Sequence, residues 1–375
     1  MKKGYLQSAV NDIEDKISII IKIAVVLFVV AMLVFAINGL NYSSPTATLV
    51  SPSTTTVTTT KIQTSEPSFD WVVLQSDDAV EEVNLKSGLA VTGKIKVGKD
   101  PSSIVIDPEG FQLYVANSGS NTVSLISLFS YTAYKSLKTG PDPIQISIAP
   151  GQPQPKMFIL NKGNNTITEY YLVGPRYFRT IPAGPDPTSM NVNSSGTMLY
   201  LTESSLNEIL PISLTSTSIS QLTPIQVGTD PIQAAIGKIT GSHLYVANFG
   251  SESISTVNLT TLRVVSTLPL SGHPNLIALA QNSNIADIAT INPPELIQLN
   301  TDQNIITSTI SLNQQLTDIT TGRYGNNVFG INTQTSICWY VSMLTNVIRI
   351  PQYIVGTPVS LAYLPPEVPL NNGSG

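Results

Sequence analysis

The sequence predicts an all-β fold, a seven-bladed β-propeller, preceded by one N-terminal transmembrane helix. Three observations support this prediction. A continuous apolar segment lies near the N-terminus, a Ser/Thr/Pro-rich segment follows it, and the rest of the chain repeats itself every 42 to 44 residues. These features divide the 375 residues into a cytoplasmic segment (1–16), a transmembrane helix (17–40), a stalk (41–68), a propeller (69–365) and a flexible C-terminal tail (366–375).

The apolar segment runs unbroken from Ile23 to Ile37 and, with its flanks, reaches about 20 residues, enough to cross a bilayer. The side chain of Lys22, near the start of the segment, can extend to the headgroups. Three lysines precede the segment, at positions 2, 3 and 16, and the next basic residue is Lys61. The positive-inside rule then predicts a single-pass cell-membrane protein with a cytoplasmic N-terminus and an extracellular propeller. A cleaved signal peptide is the alternative, although the leader and the apolar run are both longer than usual.

The stalk is defined by its composition. From Ser43 to Ser68, 18 of 26 residues are Ser, Thr or Pro. Such a segment cannot bury enough apolar surface to fold, so it stays extended and holds the next domain away from the membrane. The TTTVTTT run at 54–60 is typical of an O-glycosylated, mucin-like spacer, and an unmodified linker is the alternative.

Charge and cysteine content exclude several classes of protein. Only 11% of residues are charged, the net charge is −5, and no basic run is long enough to follow a phosphate backbone. We therefore predict no nucleic-acid partner. Cys338 is the single cysteine, so no intrachain disulfide can form and stability must come from a large core. The low charge also suits an acidic environment, where carboxylates lose their charge.

A Gly-x-Asp-Pro tetrapeptide marks the repeat. Its copies and their degenerate successors begin at Gly98, Gly140, Gly184, Gly228, Gly272 and Gly356. After each proline come a short alternating run, a turn, a buried-type strand such as Leu113–Asn117, a polar turn, and two further strands. Units of four strands repeated at 40 to 45 residues are typical of propeller blades.

The buried-type strand carries a family resemblance. Tyr114–Asn117 (YVAN) with Ser118–Val123, and Tyr245–Asn248 (YVAN) with Phe249–Ser253, are similar to the YVTN repeats of prokaryotic propellers common on archaeal surfaces. The resemblance covers roughly Phe69 to Pro365 and is weakest in the blades at 274–314 and 315–356. It implies a propeller on a cell surface, and the motif is specific for fold rather than function.

The count of strands predicts how the ring closes. Six full periods run from Pro101 to Gly356, the residues before Gly98 supply three strands, and Val359–Tyr363 supplies one. Three strands plus one complete a seventh blade, with the C-terminal strand innermost beside Trp71–Leu74. This closure removes free strand edges that would otherwise promote aggregation.

One face of the predicted propeller carries the Gly-x-Asp-Pro turns and the turns between second and third strands. It is rich in Asn, Ser and Gly, which bind polyols and glycans, but the same residues also make tight turns. The four aspartates could hold a cation or cap turns, and carboxylates one blade apart do not form a compact oxygen cage, so we predict no metal and no cofactor. The binding-face candidates are Asp100, Asp142, Asp186, Asp230, Asn117, Asn121, Asn161, Asn165, Asn248 and Glu252.

The sequence contains no recognisable catalytic motif, and we predict no catalytic residue. Neither His243 nor His273 has a second His or Cys at metal-binding spacing, and no Gly-x-Ser-x-Gly occurs. Cys338 lies in a predicted strand beside Trp339 and is expected in the core. Scattered acids could still pair in space, among them Glu81, Glu82 and Glu203.

The sequence contains five N-glycosylation sequons, and several of them are expected to be modified if the domain is extracellular. They lie at Asn41, Asn164, Asn193, Asn258 and Asn372.

The leading functional hypothesis is a cell-surface binding or scaffold module that contacts surface proteins or glycans, as in adhesion. One alternative is an extracytoplasmic hydrolase of the lactonase type, which acids or histidines clustered in the channel would favour and a Ser, Thr and apolar lining would exclude. Another is a structural subunit of a surface array or appendage, which predicts self-association through blade edges.

Overall fold

The computed structural model describes residues 69–84, 89–151, 154–237, 241–348 and 352–363. The predicted transmembrane helix, stalk and C-terminal tail, with sequons Asn41 and Asn372, lie outside these residues. Within the described part of the chain, no helix is long and apolar enough to cross a membrane.

The described residues form 31 strands and three short 3-10 turns. The 3-10 turns are Gln75–Asp77, Lys162–Asn164 and Ser204–Leu206. The strands are β1 (Phe69–Leu74), β2 (Ala79–Asn84), β3 (Leu89–Ala90), β4 (Ile95–Lys96), β5 (Pro101–Ile106), β6 (Gln112–Asn117), β7 (Thr122–Ser127), β8 (Thr132–Lys138), β9 (Pro143–Ala149), β10 (Lys156–Asn161), β11 (Thr166–Tyr171), β12 (Arg176–Pro182), β13 (Pro187–Val192), β14 (Met198–Glu203), β15 (Glu208–Leu214), β16 (Ile219–Gln221), β17 (Ile225–Gln226), β18 (Pro231–Ile236), β19 (His243–Asn248), β20 (Ser253–Asn258), β21 (Arg263–Pro269), β22 (His273–Leu279), β23 (Ile285–Ile291), β24 (Glu295–Asn300), β25 (Ile305–Ser311), β26 (Asp318–Thr321), β27 (Asn327–Asn332), β28 (Ile337–Ser342), β29 (Val347–Ile348), β30 (Gln352–Tyr353) and β31 (Pro358–Tyr363).

These strands form seven antiparallel sheets, which confirms the prediction of a seven-bladed propeller. Blade 1 contains β1 to β4 and β31, blade 2 contains β5 to β8, and blade 3 contains β9 to β12. Blade 4 contains β13 to β17, blade 5 β18 to β21, blade 6 β22 to β25, and blade 7 β26 to β30. In blades 1, 4 and 7 the outermost strand is split into two short pieces, so that four strands rather than the predicted three precede Gly98 in blade 1.

The ring closes as the strand count predicted. β31 is the innermost strand of blade 1 and pairs antiparallel with β1, with Trp71 opposite Ala362 and Val72 opposite Leu361. The N–H of Gln75 also donates to the carbonyl of Thr357 at 2.8 Å. Because β31 pairs with β1, the inner edge of β1 is not left unpaired.

The core is divided into seven apolar clusters, one at each boundary between neighbouring blades. The second strand of a blade contributes to the clusters on both of its sides, so its residues are almost continuously buried, as in Leu113–Asn117. Outermost strands are largely exposed, and in β21 exposed and half-buried residues alternate. The position of a strand within its blade therefore explains its hydrophobic pattern.

Candidate functional site

The Gly-x-Asp-Pro turn and the end of the second strand form one packed unit in each regular blade. In blade 2, the side-chain oxygen of Asn117 accepts the N–H of Gly98 at 3.1 Å, and its amide nitrogen donates to Thr122 and Ser124. Asn117 has no exposed surface. A Cβ added to Gly98 would lie 2.7 Å from the Asn117 Cγ, so the glycine is required for this approach. The glycine of the Gly-x-Asp-Pro turn and the asparagine that ends the second strand are therefore parts of one packed structural unit.

Blades 3, 4 and 5 repeat this unit. Asn161 and Asn248 are fully buried and pack as closely against Gly140 and Gly228, although their side-chain oxygens accept no hydrogen bond from the described residues. In blade 4 the position is occupied by Glu203, whose carboxylate accepts the N–H of Asp186 at 3.0 Å. Burial raises the pKa of Glu203. Three of the ten binding-face candidates, the buried asparagines, therefore contact only the protein.

In three blades, the residue that precedes the third strand links that blade to the next. Asn121 has a left-handed backbone (φ 54°), and its side-chain oxygen accepts the N–H of Asp142 at 3.0 Å. Asp78 and Asn207 accept the N–H groups of Asp100 and Asp230 in the same manner. These contacts fix the angle between successive blades, because each joins a turn of one blade to the first strand of the next.

Two further candidates make related contacts across a blade boundary. The Asn165 amide donates to the carbonyl of Pro185 at 2.8 Å. The Glu252 carboxylate lies 3.4 Å from Nε2 of His273, whose Nδ1 lies 2.9 Å from the carbonyl oxygen of Phe249. The structure therefore places His273 in a contact between blades 5 and 6.

The four repeated aspartates lie at the entrances to the innermost strands. Asp100, Asp142 and Asp230 adopt left-handed backbones with φ between 48° and 52°. The carboxylates of Asp100 and Asp142 are exposed, whereas Asp186 and Asp230 are half-buried and Asp230 accepts a hydrogen bond from Ser204. Among the described residues, no group of three or more His, Cys, Asp or Glu side chains is placed to hold a metal ion.

A central channel of about 420 Å³ is lined by the innermost strands of all seven blades. Its lining consists of hydroxyl, amide and aliphatic side chains with one carboxylate, that of Asp318. The polar residues among them are Ser102, Ser103, Gln145, Thr188, Ser189, Gln233, Asn275, Thr317, Asp318 and Ser360.

Asp318 occupies a position that other blades use to join their innermost strands. Gln145 accepts the N–H of Met190 in the next blade at 2.7 Å, and Gln233 accepts that of Ile277 at 2.6 Å. Asp318 likewise accepts the N–H of Leu361 at 2.8 Å and also that of Ile319. Burial raises the pKa of Asp318 to about 6 despite these hydrogen bonds. Its carboxylate therefore has a structural partner on the neighbouring blade.

Two buried carboxylates beside blade 7 were not singled out by the sequence. Asp70 in β1 is fully buried and accepts hydrogen bonds from Oγ1 of Thr320 at 2.8 Å and from the N–H of Trp71 at 2.9 Å. Burial raises its pKa to about 8, which these hydrogen bonds only partly oppose. Asp287 in β23 accepts from Thr321 and Gln298, and burial raises its pKa to about 7. The sequence feature that could have identified these two carboxylates is an aspartate within an otherwise apolar strand, as in FDWVVL and IADIATI.

The other residues considered for catalysis are dispersed. Cys338 is buried in β28 as predicted, and burial, with the nearby Asp70 carboxylate, raises the pKa of its thiol to about 12. Such a thiol is a poor nucleophile. Glu81 and Glu82 are buried neighbours in β2, and burial raises the pKa of both. Because they are adjacent in a strand, their side chains point to opposite faces of the sheet.

Three sequons lie in the described residues. Asn164 is exposed on the Gly-x-Asp-Pro face. Asn193 and Asn258 lie in turns on the opposite face, and their side-chain oxygens accept backbone N–H groups of their own turns. The nitrogen of Asn193 also donates to Thr197 at 3.0 Å, so this side chain is the more constrained.

The fold and the channel define a seven-bladed β-propeller, and comparison with known proteins agrees at that level. A protein of unknown function from Desulfotomaculum acetoxidans has a TM-score of 0.70 at 12% identity, covering 78% of this chain and 98% of that one. A Bacteroides fragilis protein provisionally named 6-phosphogluconolactonase has a TM-score of 0.63 at 12% identity, covering 78% and 97%. Hydrazine synthase from Kuenenia stuttgartiensis has a TM-score of 0.59 at 14% identity, covering 80% and 99%. No protein-family model and no curated protein matches the sequence.

Proposed function

We propose that this protein is a membrane-anchored, cell-surface binding module that contacts surface proteins or glycans through its Gly-x-Asp-Pro face. The observation that favours a binding module over an enzyme is the chemical character of the residues that line the channel. It offers hydroxyls, amides and aliphatic groups, and its one carboxylate is hydrogen-bonded to the backbone of blade 1. Acid–base catalysis needs groups free to exchange protons with a substrate, and this lining favours binding instead. The membrane anchor is supported by the apolar segment at 17–40.

The exposed carboxylates of the face give a direct test. Full-length protein in detergent micelles is applied to a glycan array and to intact cells. Asp100→Asn with Asp142→Asn should lower binding, because both side chains are exposed beside the channel mouth. The matched control is Glu109→Gln, which removes an exposed charge from the opposite face. Equal binding by the double variant and the control would contradict the assignment of this face.

A lactonase-type hydrolase is a second candidate. It is supported by the name of the Bacteroides fragilis neighbour and by a channel carboxylate with a raised pKa. Asp318→Gln is the informative variant, because glutamine already makes the same inter-blade contact at 145 and 233. Lactone hydrolysis by the purified protein that Asp318→Gln abolishes without loss of thermal stability would establish the enzyme.

A structural subunit of a surface array is a third candidate, supported by β25. This outermost strand contains no charged residue and exposes Ile305 (48%) and Ile306 (40%). Uncharged edge strands can pair with another copy. Ile306→Lys should then reduce cross-linked oligomers on intact cells, and unchanged cross-linking would exclude this edge.

A further inference from the structure

A second polar cavity lies between blades 5 and 6, away from the Gly-x-Asp-Pro turns. It has a volume of about 270 Å³ and opens beside the turns β18–β19, β22–β23 and β24–β25. Because these turns lie at the opposite ends of the strands from the Gly-x-Asp-Pro turns, the cavity is separate from the proposed binding face. Its walls come from β19, β20 and β21 of blade 5 and from the turns of blade 6.

Two polar atoms of the residues that line this cavity are buried without a hydrogen-bond partner in the described part of the chain. One is Oγ1 of Thr256, a residue with only 7% of its surface exposed. The other is Oδ1 of Asn304, whose nitrogen donates to Ser266 across the blade boundary at 2.6 Å. Leaving such a group unpaired costs about 1–3 kcal/mol. Both atoms would therefore gain from a ligand that carries hydroxyl groups.

The remaining lining restricts the chemistry of that ligand. His243, Tyr245 and Asp302 supply an imidazole, a phenol and a carboxylate, and none of the described residues that line the cavity is Lys or Arg. The carboxylate would repel an anion, and one histidine with one aspartate is too few ligands for a typical metal site. A mixture of donors and acceptors around an aromatic ring suits vicinal hydroxyl groups, since each hydroxyl both donates and accepts.

We propose that this cavity binds one sugar unit, either free or at the end of a glycan. Its volume lies just below the usual range for small-molecule pockets, which limits the ligand to a single ring. The Thr256 hydroxyl can donate a hydrogen bond to a sugar hydroxyl or accept one from it, Oδ1 of Asn304 can accept one, and Tyr245 provides an apolar surface. The cavity is separate from the Gly-x-Asp-Pro face, so the proposal for one site can be refuted while the proposal for the other still holds.

The test uses full-length protein in a detergent without a sugar headgroup, because alkyl glycosides would compete for the site. Saturation-transfer NMR screens glucose, galactose, mannose, fucose and N-acetylglucosamine, and titration gives the affinity of any that bind. Thr256→Val keeps the shape of the side chain and removes the hydroxyl. It should weaken binding roughly 2- to 10-fold, the loss of one neutral hydrogen bond.

Thermal unfolding separates loss of the site from loss of the fold. Since the Thr256 hydroxyl has no hydrogen-bond partner among the described residues, Thr256→Val should not lower the melting temperature. The control is Thr267→Val, which removes an exposed hydroxyl on β21 of the same blade and should leave the affinity unchanged. No saturation transfer to any of the five sugars, as expected if the cavity holds only ordered water, would overturn the proposal. Binding that Thr256→Val leaves unaltered would overturn it equally.

Discussion

The buried carboxyl group of Asp70 predicts that the propeller is more stable in acid than at neutral pH. In the unfolded chain this group has an ordinary pKa near 3.8, whereas burial raises it to about 8 in the fold. Between these values the folded state holds a proton that the unfolded state has released. The free energy of unfolding therefore falls by about 1.4 kcal/mol per pH unit from this group alone. Its contribution is fully present below pH 4 and is lost as the pH rises towards 8.

Asp70→Asn removes this titration while keeping the shape of the side chain. The asparagine oxygen can still accept the N–H of Trp71, and its amide can donate to Oγ1 of Thr320. Urea unfolding, followed by the fluorescence of Trp71 and Trp339, is measured at pH 5 and pH 7. Over these two pH units the wild type should lose about 3 kcal/mol more stability than the variant does. Asp287 and Asp318, whose raised pKa values have the same sign, leave a residual slope in the variant.

Asp77→Asn is the matched control for this experiment. Asp77 ends the 3-10 turn that follows β1, is paired with Lys94, and has its pKa lowered chiefly by that lysine. It is ionised in both the folded and the unfolded chain at pH 5 and above, so its loss should shift stability equally at both pH values. A slope in Asp70→Asn that equals the wild-type slope would show that Asp70 is not selectively protonated in the fold.

Three further outcomes are expected. Deletion of the residues after Gly356 removes β31 and exposes the buried strand β1, so the truncated protein should aggregate or lose its cooperative thermal transition; native thermal stability would contradict ring closure by β31. Gly140→Ala should destabilise the protein by about 1–3 kcal/mol, because its Cβ would lie 2.8 Å from the Asn161 Cγ, whereas Gly93→Ala, with nothing within 4 Å, should have no effect in the same denaturation assay. If the domain is extracellular, glycopeptide mass spectrometry should find Asn164 modified, and an unmodified Asn164 in protein purified from membranes would argue against that topology.

The repeat made the architecture predictable. Each blade folds from consecutive residues, so the 42- to 44-residue period predicted the number of sheets and the order of strands within them. Ring closure was also predictable, because a count of strands left three at one end and one at the other. The split of the outer strand in blade 1 was missed, since a two-residue strand has too few alternating positions to show a pattern.

The candidate site was less predictable because its contacts join residues of different blades. The recurrence of Asn117 and Gly98 was evident in the sequence, but their packing against each other became visible only in the fold. The sequence did not single out Asp318, and only the matching contacts of Gln145 and Gln233 showed that its position is an inter-blade hydrogen-bond acceptor. Side chains about 40 residues apart carry no local signal of their pairing.

The sequence by itself determined the seven-bladed ring and its closure. Alternating residues and turns specify the strands of each blade, and this pattern recurs in every period. The tertiary structure alone decided which polar groups lose their water. Packing at the boundaries of blade 7 buries Asp70 and Asp287, and packing between blades 5 and 6 leaves the Thr256 hydroxyl unpaired. Burial is a property of the surfaces that meet, and neither surface alone reveals it.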